Sequence, residues 1–214
     1  MSPMKRFGLC TLFFLAFGVA AYAVVAYGFL PLGSLVHPDM KVSFLTHQAG
    51  IYTHIFASVV ALTLGPFQFL PGLRRRFARL HRWTGRTYLG IGVLIGGSAG
   101  LYMATFAFGG IVAKLGFALL ASLWLYTGLR AFTAIRRGDV VEHRQWMVRN
   151  FSLTLAAVTL RLLLPASGVS GIPFELAYPA IAWLCWVPNL LVAEWWFNRP
   201  QGIPNVRSTH PLQG

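Results

Sequence analysis

Two short passages in which arginine follows histidine could support chemistry. They begin at His81 and His143, and each opens an apolar stretch. Histidines on different helices of a bundle can ligate the iron of a b-type haem, and neighbouring arginines can pair with its propionates. This interpretation predicts an inner site in which the two histidines are candidate haem-iron ligands. Its cofactor-binding residues would be His81, Arg82, Arg86, His143 and Arg149.

Two polar residues within apolar stretches indicate a second group. His54 shares one helix face with His47, and Arg161 lies far along a later stretch. A charged side chain costs about 2.5–3.5 kcal/mol at the centre of a bilayer, so we expect Arg161 to have a partner. That partner could be Glu175, a bound anion or a quinone oxygen. His54 and Arg161 are therefore further candidate cofactor-binding residues, but a second haem is not expected, because both outer histidines lie on one helix.

Each of these polar groups also has an ordinary structural explanation. A histidine at a helix end beside snorkelling arginines is typical of the membrane interface, and this alternative applies to His81 and His143. Arg161 could extend to the outer headgroups, and His54 could make a buried hydrogen bond. The sequence leaves these alternatives open.

The composition indicates the class of protein. Of the 214 residues, 56% are hydrophobic and 11% are charged, and the mean hydropathy is +0.61. Soluble domains carry about a quarter charged residues, so we predict an all-α polytopic membrane protein. The net charge of +13 comes from arginines between apolar runs, which favours contact with anionic lipid headgroups over nucleic acid. Five acidic residues and no nucleophile-base pattern leave little for hydrolytic chemistry.

The apolar stretches predict a bundle of six transmembrane helices. About 20 apolar residues are enough to cross ~30 Å of hydrocarbon. We expect Pro165 to end the fifth span and Pro188 to bend the sixth. The tail, residues 199–214, is expected to be a flexible cytoplasmic segment. The predicted transmembrane domain, residues 1–198, contains spans at about 7–30, 46–70, 82–108, 111–135, 140–164 and 174–197.

An arginine-dense segment, residues 74–86, fixes the predicted orientation. It holds six arginines between two apolar stretches, and such segments stay on the cytoplasmic side of a bilayer. Six spans then place both termini in the cytoplasm, as expected for a multi-pass protein of the cell inner membrane. This orientation places His81 and His143 near the inner surface, and His54 and Arg161 in the outer half.

Helical periodicity predicts which faces point into the bundle. His143, Asn150, Thr154 and Arg161 fall on one face of the fifth helix, and a similar polar stripe on the second span includes His54. Lipid would penalise both stripes, so both should face the interior. The third span carries a strip of small residues suited to close helix packing, formed by Gly92, Gly96 and Gly100.

The combined motifs resemble a known family. They are His54 in the second span, Gly65-Pro66-Phe67-Gln68-Phe69, Leu80-His81-Arg82-Trp83-Thr84-Gly85-Arg86-Thr87-Tyr88 and His143-Arg144-Gln145-Trp146-Met147-Val148-Arg149. Over about residues 47–165 the chain resembles a family of bacterial membrane proteins catalogued as a domain of unknown function. More distantly, it is similar to cytochrome b561-type and ferric-reductase-like membrane cytochromes, which implies haem and electron transport. Those proteins usually pair histidines on both sides of the bilayer, whereas this sequence offers a cross-helix pair only on the inner side.

These observations lead to one main hypothesis and two alternatives. The main hypothesis is an integral inner-membrane protein with an interior His/Arg site, a redox protein that binds one haem b or a quinone. The first alternative is a non-catalytic accessory subunit, or an anionic-lipid-binding scaffold, of a membrane complex. A small transporter comes third, because the sequence has no convincing inverted repeat.

Overall fold

Six helical stretches of the computed structural model are long and apolar enough to cross a membrane. The structure describes residues 3–198, with side chains described for residues 6–195, and every element in that part of the chain is a helix. The predicted tail therefore lies outside the described residues. The prediction of an all-α, six-span protein is confirmed. The stretches are Arg6–Gly28, Gln48–Gln68, Ala78–Ala104, Gly110–Arg136, Val140–Val169 and Phe174–Trp195.

Several of these stretches are divided into shorter helices. In the described part of the chain there are eleven α-helices and one π-helix, and the π-helix, Tyr88–Ile95, lies between α5 and α6. The α-helices are α1 (Pro3–Gly28), α2 (Pro38–Thr46), α3 (Gln48–Gln68), α4 (Pro71–Arg76), α5 (Ala78–Thr87), α6 (Gly96–Ala104), α7 (Gly110–Arg136), α8 (Val140–Thr154), α9 (Ala156–Val169), α10 (Phe174–Leu184) and α11 (Val187–Asn198).

The arginine-dense segment is helical, and it belongs partly to the third span. Pro71 at the first position of α4 is preorganised for a helix, and the arginines that follow are good helix formers. At Phe77 the backbone leaves the helical region, with φ −127° and ψ 51°, and α5 begins directly afterwards. The third span therefore starts at Ala78, four residues before the predicted start. We call the end of the bundle that carries this segment the inner side.

The sequence predicts an effect of proline on the helix in both the fifth and the sixth span. The prediction that Pro165 ends the fifth span is wrong, because α9 continues through it to Val169. A proline near a helix end removes one hydrogen bond, here the one that residue 165 would donate to the Arg161 carbonyl, and the remaining turn tolerates that loss. The helix of the sixth span is interrupted just before Pro188, between α10 and α11, while the predicted bend at Pro188 itself stays a prediction.

The fifth span is instead interrupted at Leu155, between α8 and α9. The Thr154 hydroxyl donates a hydrogen bond to the Asn150 carbonyl, 3.1 Å away. Such back-bonding by threonine competes with the helical ladder and often bends a helix. At the start of the same span, the Asp139 carboxylate caps α8 by accepting a hydrogen bond from the Glu142 N–H at 2.8 Å.

The glycine strip of the third span packs against α3, as the sequence predicts. A Cβ atom added to Gly92 would lie 2.9 Å from Ala61 Cβ and 3.1 Å from Ala61 Cα. One added to Gly96 would lie 3.1 Å from Ala57 Cβ. The two helices therefore approach as closely as their backbones allow, which is the role expected of small residues in membrane bundles.

We predict that Gly92→Ala destabilises the bundle by about 1–3 kcal/mol, because the new methyl group meets the backbone of α3, which cannot rotate away. Thermal unfolding in detergent, followed by circular dichroism, would measure the change. Gly90→Ala is the matched control, since no heavy atom lies within 4 Å of a Cβ at that position of the π-helix. Equal melting temperatures for the two variants would contradict the close packing described above.

Candidate functional site

A cavity of about 500 Å³ occupies the outer half of the bundle. This volume lies within the range of 300–1,000 Å³ that is usual for small-molecule sites. The loop before α2 and the first half of α2 lie at its outer end, and all six spans contribute to its wall. One lining residue from each span, in chain order, is Tyr22, His54, Gly100, Trp124, Arg161 and Tyr178.

The wall of this outer cavity is mainly aliphatic and aromatic, with a few polar groups. Phe108 and Phe174 lie at the outer end with their ring centroids 5.3 Å apart. His37 stacks on Phe174 at a centroid distance of 3.9 Å, and its Nδ1 atom lies 3.5 Å from the Asp39 carboxylate. The cavity is therefore suited to an amphiphilic molecule, because its polar contacts are few and fixed.

His54 is held in one orientation by the third span. Its Nδ1 atom lies 2.9 Å from the Gly96 carbonyl oxygen. A carbonyl only accepts, so Nδ1 must carry the proton and donate, which leaves Nε2 of the neutral ring as an acceptor. A Cβ at Gly100 would lie 2.8 Å from Nδ1, so the absence of a side chain there makes room for the imidazole. The half-buried ring faces the cavity in this orientation.

Arg161 brings a positive charge to the same cavity. Its Nη1 donates to the Ala157 carbonyl at 3.0 Å, and its guanidinium carbon lies 5.5 Å from the centre of the Tyr22 ring. Its buried Nε has no hydrogen-bond partner among the residues that the structure describes. Glu175, which the sequence suggested as a partner, is exposed at the start of α10 and does not line the cavity. The guanidinium thus retains an unused donor inside the protein.

His47, the other outer histidine of the sequence prediction, has a structural role. It lies at the junction of α2 and α3, where its Nδ1 is 2.9 Å from the Ser43 carbonyl oxygen. Its ring stacks on Phe106 at a centroid distance of 3.7 Å. It is not among the residues that line the cavity. Of the outer group, the structure brings together only His54 and Arg161.

A buried polar network lies beside the inner end of the cavity. The Tyr88 hydroxyl donates to Asn150 Oδ1 at 2.7 Å, and it lies 2.9 Å from Thr154 Oγ1. The Trp124 indole donates to the same threonine oxygen at 2.9 Å. Tyr88 and Asn150 are both 0% exposed. The network joins the π-helix, α7 and α8 at the level where lipid offers no polar partner.

Asn150 is the best-satisfied member of this network. Besides accepting from Tyr88, its side-chain nitrogen donates to the Trp124 carbonyl at 2.7 Å and to Thr127 Oγ1 at 2.9 Å. The interior face predicted for the fifth helix is thus confirmed at Asn150 and Thr154. Sequence reasoning missed the partners Tyr88, Trp124 and Thr127, because periodicity gives the face of one helix and not its neighbours.

The inner histidines lie close to each other, but neither lines a described cavity. His81 lies within electrostatic range of His143, Arg74 and Arg82. His143 Nδ1 is 2.8 Å from the Ala131 carbonyl oxygen of α7, so in the neutral ring it donates that bond. His81 Nδ1 is buried with no hydrogen-bond partner in residues 6–195. Neither imidazole is among the residues of the two described cavities.

The three inner arginines predicted to hold anionic groups have different surroundings. Arg149 forms a bidentate ion pair with Glu194, in which Nη2 donates to Oε2 at 2.8 Å. Arg82 and Arg86 are exposed, and Arg86 lies 5.4 Å from the centre of the Trp83 ring. Arg149 is therefore already neutralised by a carboxylate, whereas the other two lie at the inner surface. No cluster of three or more histidine, cysteine or acidic side chains that could hold a metal ion occurs in the described part of the chain.

Comparison with known proteins gives one match. The model of a family described as "Predicted membrane protein (DUF2306)" matches residues 51–197, from the second span through the sixth. Searches of curated proteins and of solved structures found no match. The resemblance to a membrane family of unknown function is confirmed, while the more distant likeness to cytochrome b561-type proteins stays a prediction.

We predict that Tyr88→Phe lowers the free energy of unfolding by about 1–3 kcal/mol, because Asn150 Oδ1 loses its donor in a site closed to water. Denaturant titration of the detergent-solubilised protein would measure the change. Tyr102→Phe serves as the comparison, since Tyr102 is 48% exposed and the side-chain contacts described for it are those of its ring with His47 and Phe106. If the two substitutions cost the same, the network does not stabilise the bundle as argued.

Proposed function

We propose that this chain, which belongs to the DUF2306 family of predicted membrane proteins, binds a quinone-class ligand in its outer cavity. The observation that carries the proposal is the buried, unpartnered Nε of Arg161 at an otherwise mainly apolar cavity. A quinone has an apolar body and carbonyl oxygens that only accept hydrogen bonds. When bound, such a ligand supplies reversible electron and proton transfer, which agrees with the predicted redox role.

The cost of Arg161 supports a ligand oxygen as its partner. Placing a charge within a span is unfavourable, and a buried donor without an acceptor adds about 1–3 kcal/mol. An accepting oxygen at Nε would recover that cost and would gain a charge-assisted hydrogen bond. Arg161 forms no ion pair with a carboxylate of residues 6–195, so an acceptor from outside the protein suits the position.

His54 would be the second polar contact of the ligand. With its Nδ1 proton committed to Gly96, the neutral ring presents Nε2 as an acceptor. A quinone oxygen only accepts hydrogen bonds, whereas the hydroxyl group of a quinol can also donate one. We therefore propose that Arg161 contacts an oxygen in either form of the ligand, and that His54 Nε2 accepts from the reduced form.

A haem between His81 and His143 has less support from the geometry. The Nδ1 contact of His143 with a backbone carbonyl would leave Nε2 for iron, as is usual for ligating histidines. However, a macrocycle needs a slot between its two ligands, and neither histidine lines a described cavity. The sequence analysis proposed that Arg149 pairs with a haem propionate, but in the structure its anionic partner is Glu194.

The inner surface supports a second, independent contact. The exposed arginines of α4 and α5, including Arg82 and Arg86, have no carboxylate partner in residues 6–195. We propose that they face the cytoplasm of a cell inner membrane and contact anionic headgroups. This surface would also suit the alternative role of an accessory subunit in a membrane complex.

We predict that detergent-solubilised protein binds decyl-ubiquinone saturably, and that Arg161→Met weakens binding about tenfold or more. The loss corresponds to one hydrogen bond to a charged group, about 1.5–3 kcal/mol. Quenching of tryptophan fluorescence would report binding, because Trp124 lines the cavity. Arg86→Met removes the same charge outside the cavity and should bind as the wild type does.

The same titration distinguishes the proposal from its alternatives. Decylbenzene, which lacks the oxygens and does not quench tryptophan, would be titrated as a competitor of the quinone. It should bind more weakly than the quinone and should not distinguish Arg161→Met from the wild type. Equal quinone affinity in the wild type and Arg161→Met would contradict the proposed contact. A Soret band in the purified protein that disappears in both His81→Ala and His143→Ala would favour the haem hypothesis instead.

We further predict that Gly100→Ala weakens decyl-ubiquinol binding, because the added methyl group displaces the His54 imidazole from its hydrogen bond with Gly96. The oxidised quinone should be less affected, since it donates nothing to Nε2. Gly90→Ala, in the neighbouring π-helix, provides the control for adding a methyl group without a contact. An unchanged quinol affinity in Gly100→Ala would show that His54 does not take part.

A further inference from the structure

A second cavity, of about 510 Å³, lies near the inner end of α7, α8 and α11. It is separate from the outer cavity, and no residue lines both. Leu123 and Leu190 line it together with a group of polar and charged side chains. Tyr126 lies at its edge and is 46% exposed on the outside of the bundle. The inner cavity therefore meets the part of the surface that lipid covers.

The charges of the inner cavity balance one another. Arg130 donates to the Glu142 carboxylate at 2.9 Å, and Arg149 forms the bidentate pair with Glu194. Two arginines and two glutamates line the cavity, so the formal charge of its lining is zero. Arg137, which does not line the cavity, donates to the second oxygen of Glu142 at 2.7 Å. The whole chain has only five acidic residues, and two of them are placed here. This part of the inner side thus differs from the arginine-dense segment, where positive charge is unopposed.

Trp146 holds the arginines of the inner cavity in place. Its ring centre lies 4.7 Å from the Arg130 guanidinium carbon and 4.9 Å from that of Arg149. Its indole nitrogen donates to Glu142 at 3.0 Å. Cation-π contacts of this kind, together with the ion pairs, leave little freedom to the charged groups. A ligand would therefore meet a preorganised pattern of alternating charges.

Both signs of charge remain accessible to a ligand. The side chains of Glu142 and Glu194 are 25% and 36% exposed. A carboxylate has about four acceptor sites, so Glu194 can accept further hydrogen bonds beside those from Arg149. The Arg130 guanidinium has five N–H donors, of which two are used in its hydrogen bonds to Tyr126 and Glu142.

We propose that the inner cavity binds a phospholipid with a zwitterionic phosphoethanolamine headgroup. The Arg130 guanidinium would contact the phosphate, and the Glu194 carboxylate would accept hydrogen bonds from the ammonium group. The acyl chains would extend along Leu123 and Leu190. An anionic headgroup without an ammonium group fits less well, because it offers no cation to the partly exposed Glu194 carboxylate.

The ammonium group distinguishes phosphoethanolamine from phosphocholine. A primary ammonium has three N–H donors, whereas a quaternary choline has none and relies on an open aromatic face. The two aromatic rings that line the cavity already contact arginines: that of Trp146 contacts Arg130 and Arg149, and that of Tyr126 lies 5.8 Å from the Arg130 guanidinium carbon. Carboxylate recognition therefore favours the primary ammonium.

The test is the composition of the lipid retained by the full-length protein. The protein would be purified in mild detergent, exposed to an equal mixture of phosphatidylethanolamine, phosphatidylcholine and phosphatidylglycerol, and examined by native mass spectrometry. We expect the wild type to retain phosphatidylethanolamine about tenfold over each of the others, which is the ratio that one charge-assisted contact of about 1.4 kcal/mol gives. No preference in the wild type, or a preference for phosphatidylglycerol, would overturn the proposal.

Two variants at Glu194 test the proposed contact directly. Glu194→Gln removes the ammonium partner and leaves Arg149 without its carboxylate, so we expect the preference to shift from phosphatidylethanolamine to phosphatidylglycerol. The double variant Arg149→Gln/Glu194→Gln removes the pair without leaving an unmatched charge. It should lose the preference for phosphatidylethanolamine without gaining one for phosphatidylglycerol.

Glu175→Gln is the matched control, because Glu175 is an exposed glutamate outside both cavities. It should retain the wild-type lipid pattern. A wild-type pattern in both Glu194 variants would also overturn the proposal. If Glu194→Gln fails to fold, the wild-type selectivity and the charge-neutral double variant still decide the question.

Discussion

The constraint on which this structure depends is that hydrocarbon offers no partner to a polar group. Every donor and acceptor inside a span must therefore be satisfied by the protein or by something that the protein binds. The Asn150 side chain meets this requirement with three hydrogen bonds to Tyr88, Trp124 and Thr127. Arg161 does not, since its buried Nε has no partner among the described residues. The contrast separates a group that holds helices together from one that suits a ligand.

Charged side chains have different surroundings at the two ends of the bundle. In the outer half a single guanidinium faces a mainly aromatic and aliphatic cavity, where we propose that a ligand oxygen is its partner. At the inner side the exposed arginines of α4 and α5 carry unopposed charge, while Arg130 and Arg149 are matched by carboxylates. The density of unpaired charge therefore differs between neighbouring patches of the inner side, and this difference is the basis of the two lipid contacts proposed above.

The sequence was sufficient for the spans, and insufficient for the contacts between them. Hydropathy identifies all six spans, and a period of 3.6 residues places Asn150 and Thr154 on the interior face. The same reasoning could not find Tyr88 or Trp124 as their partners, because an ordinary aromatic residue in an apolar run has no distinguishing pattern. Nor could sequence reasoning show that Arg149 has a carboxylate partner whereas Arg161 has none among the described residues. The ion pair of Arg149 with Glu194 depends on how α8 and α11 pack against each other. Sequence reasoning also placed the end of the fifth span wrongly at Pro165, because a proline ends a helix only when the following residues cannot continue the turn.

The π-helix between α5 and α6 gives the third span an unusual tolerance of chain length. A π turn contains about one residue more than an α turn, so the segment accommodates a surplus residue without changing the residues on either side. Deleting a single residue there would return the segment towards ordinary α-helical winding and leave the flanking residues in register. Tyr88 would keep its place in the buried network, and the Gly96 carbonyl would still face the His54 ring. The same deletion in the α-helical part of the span would rotate everything after it by about 100°.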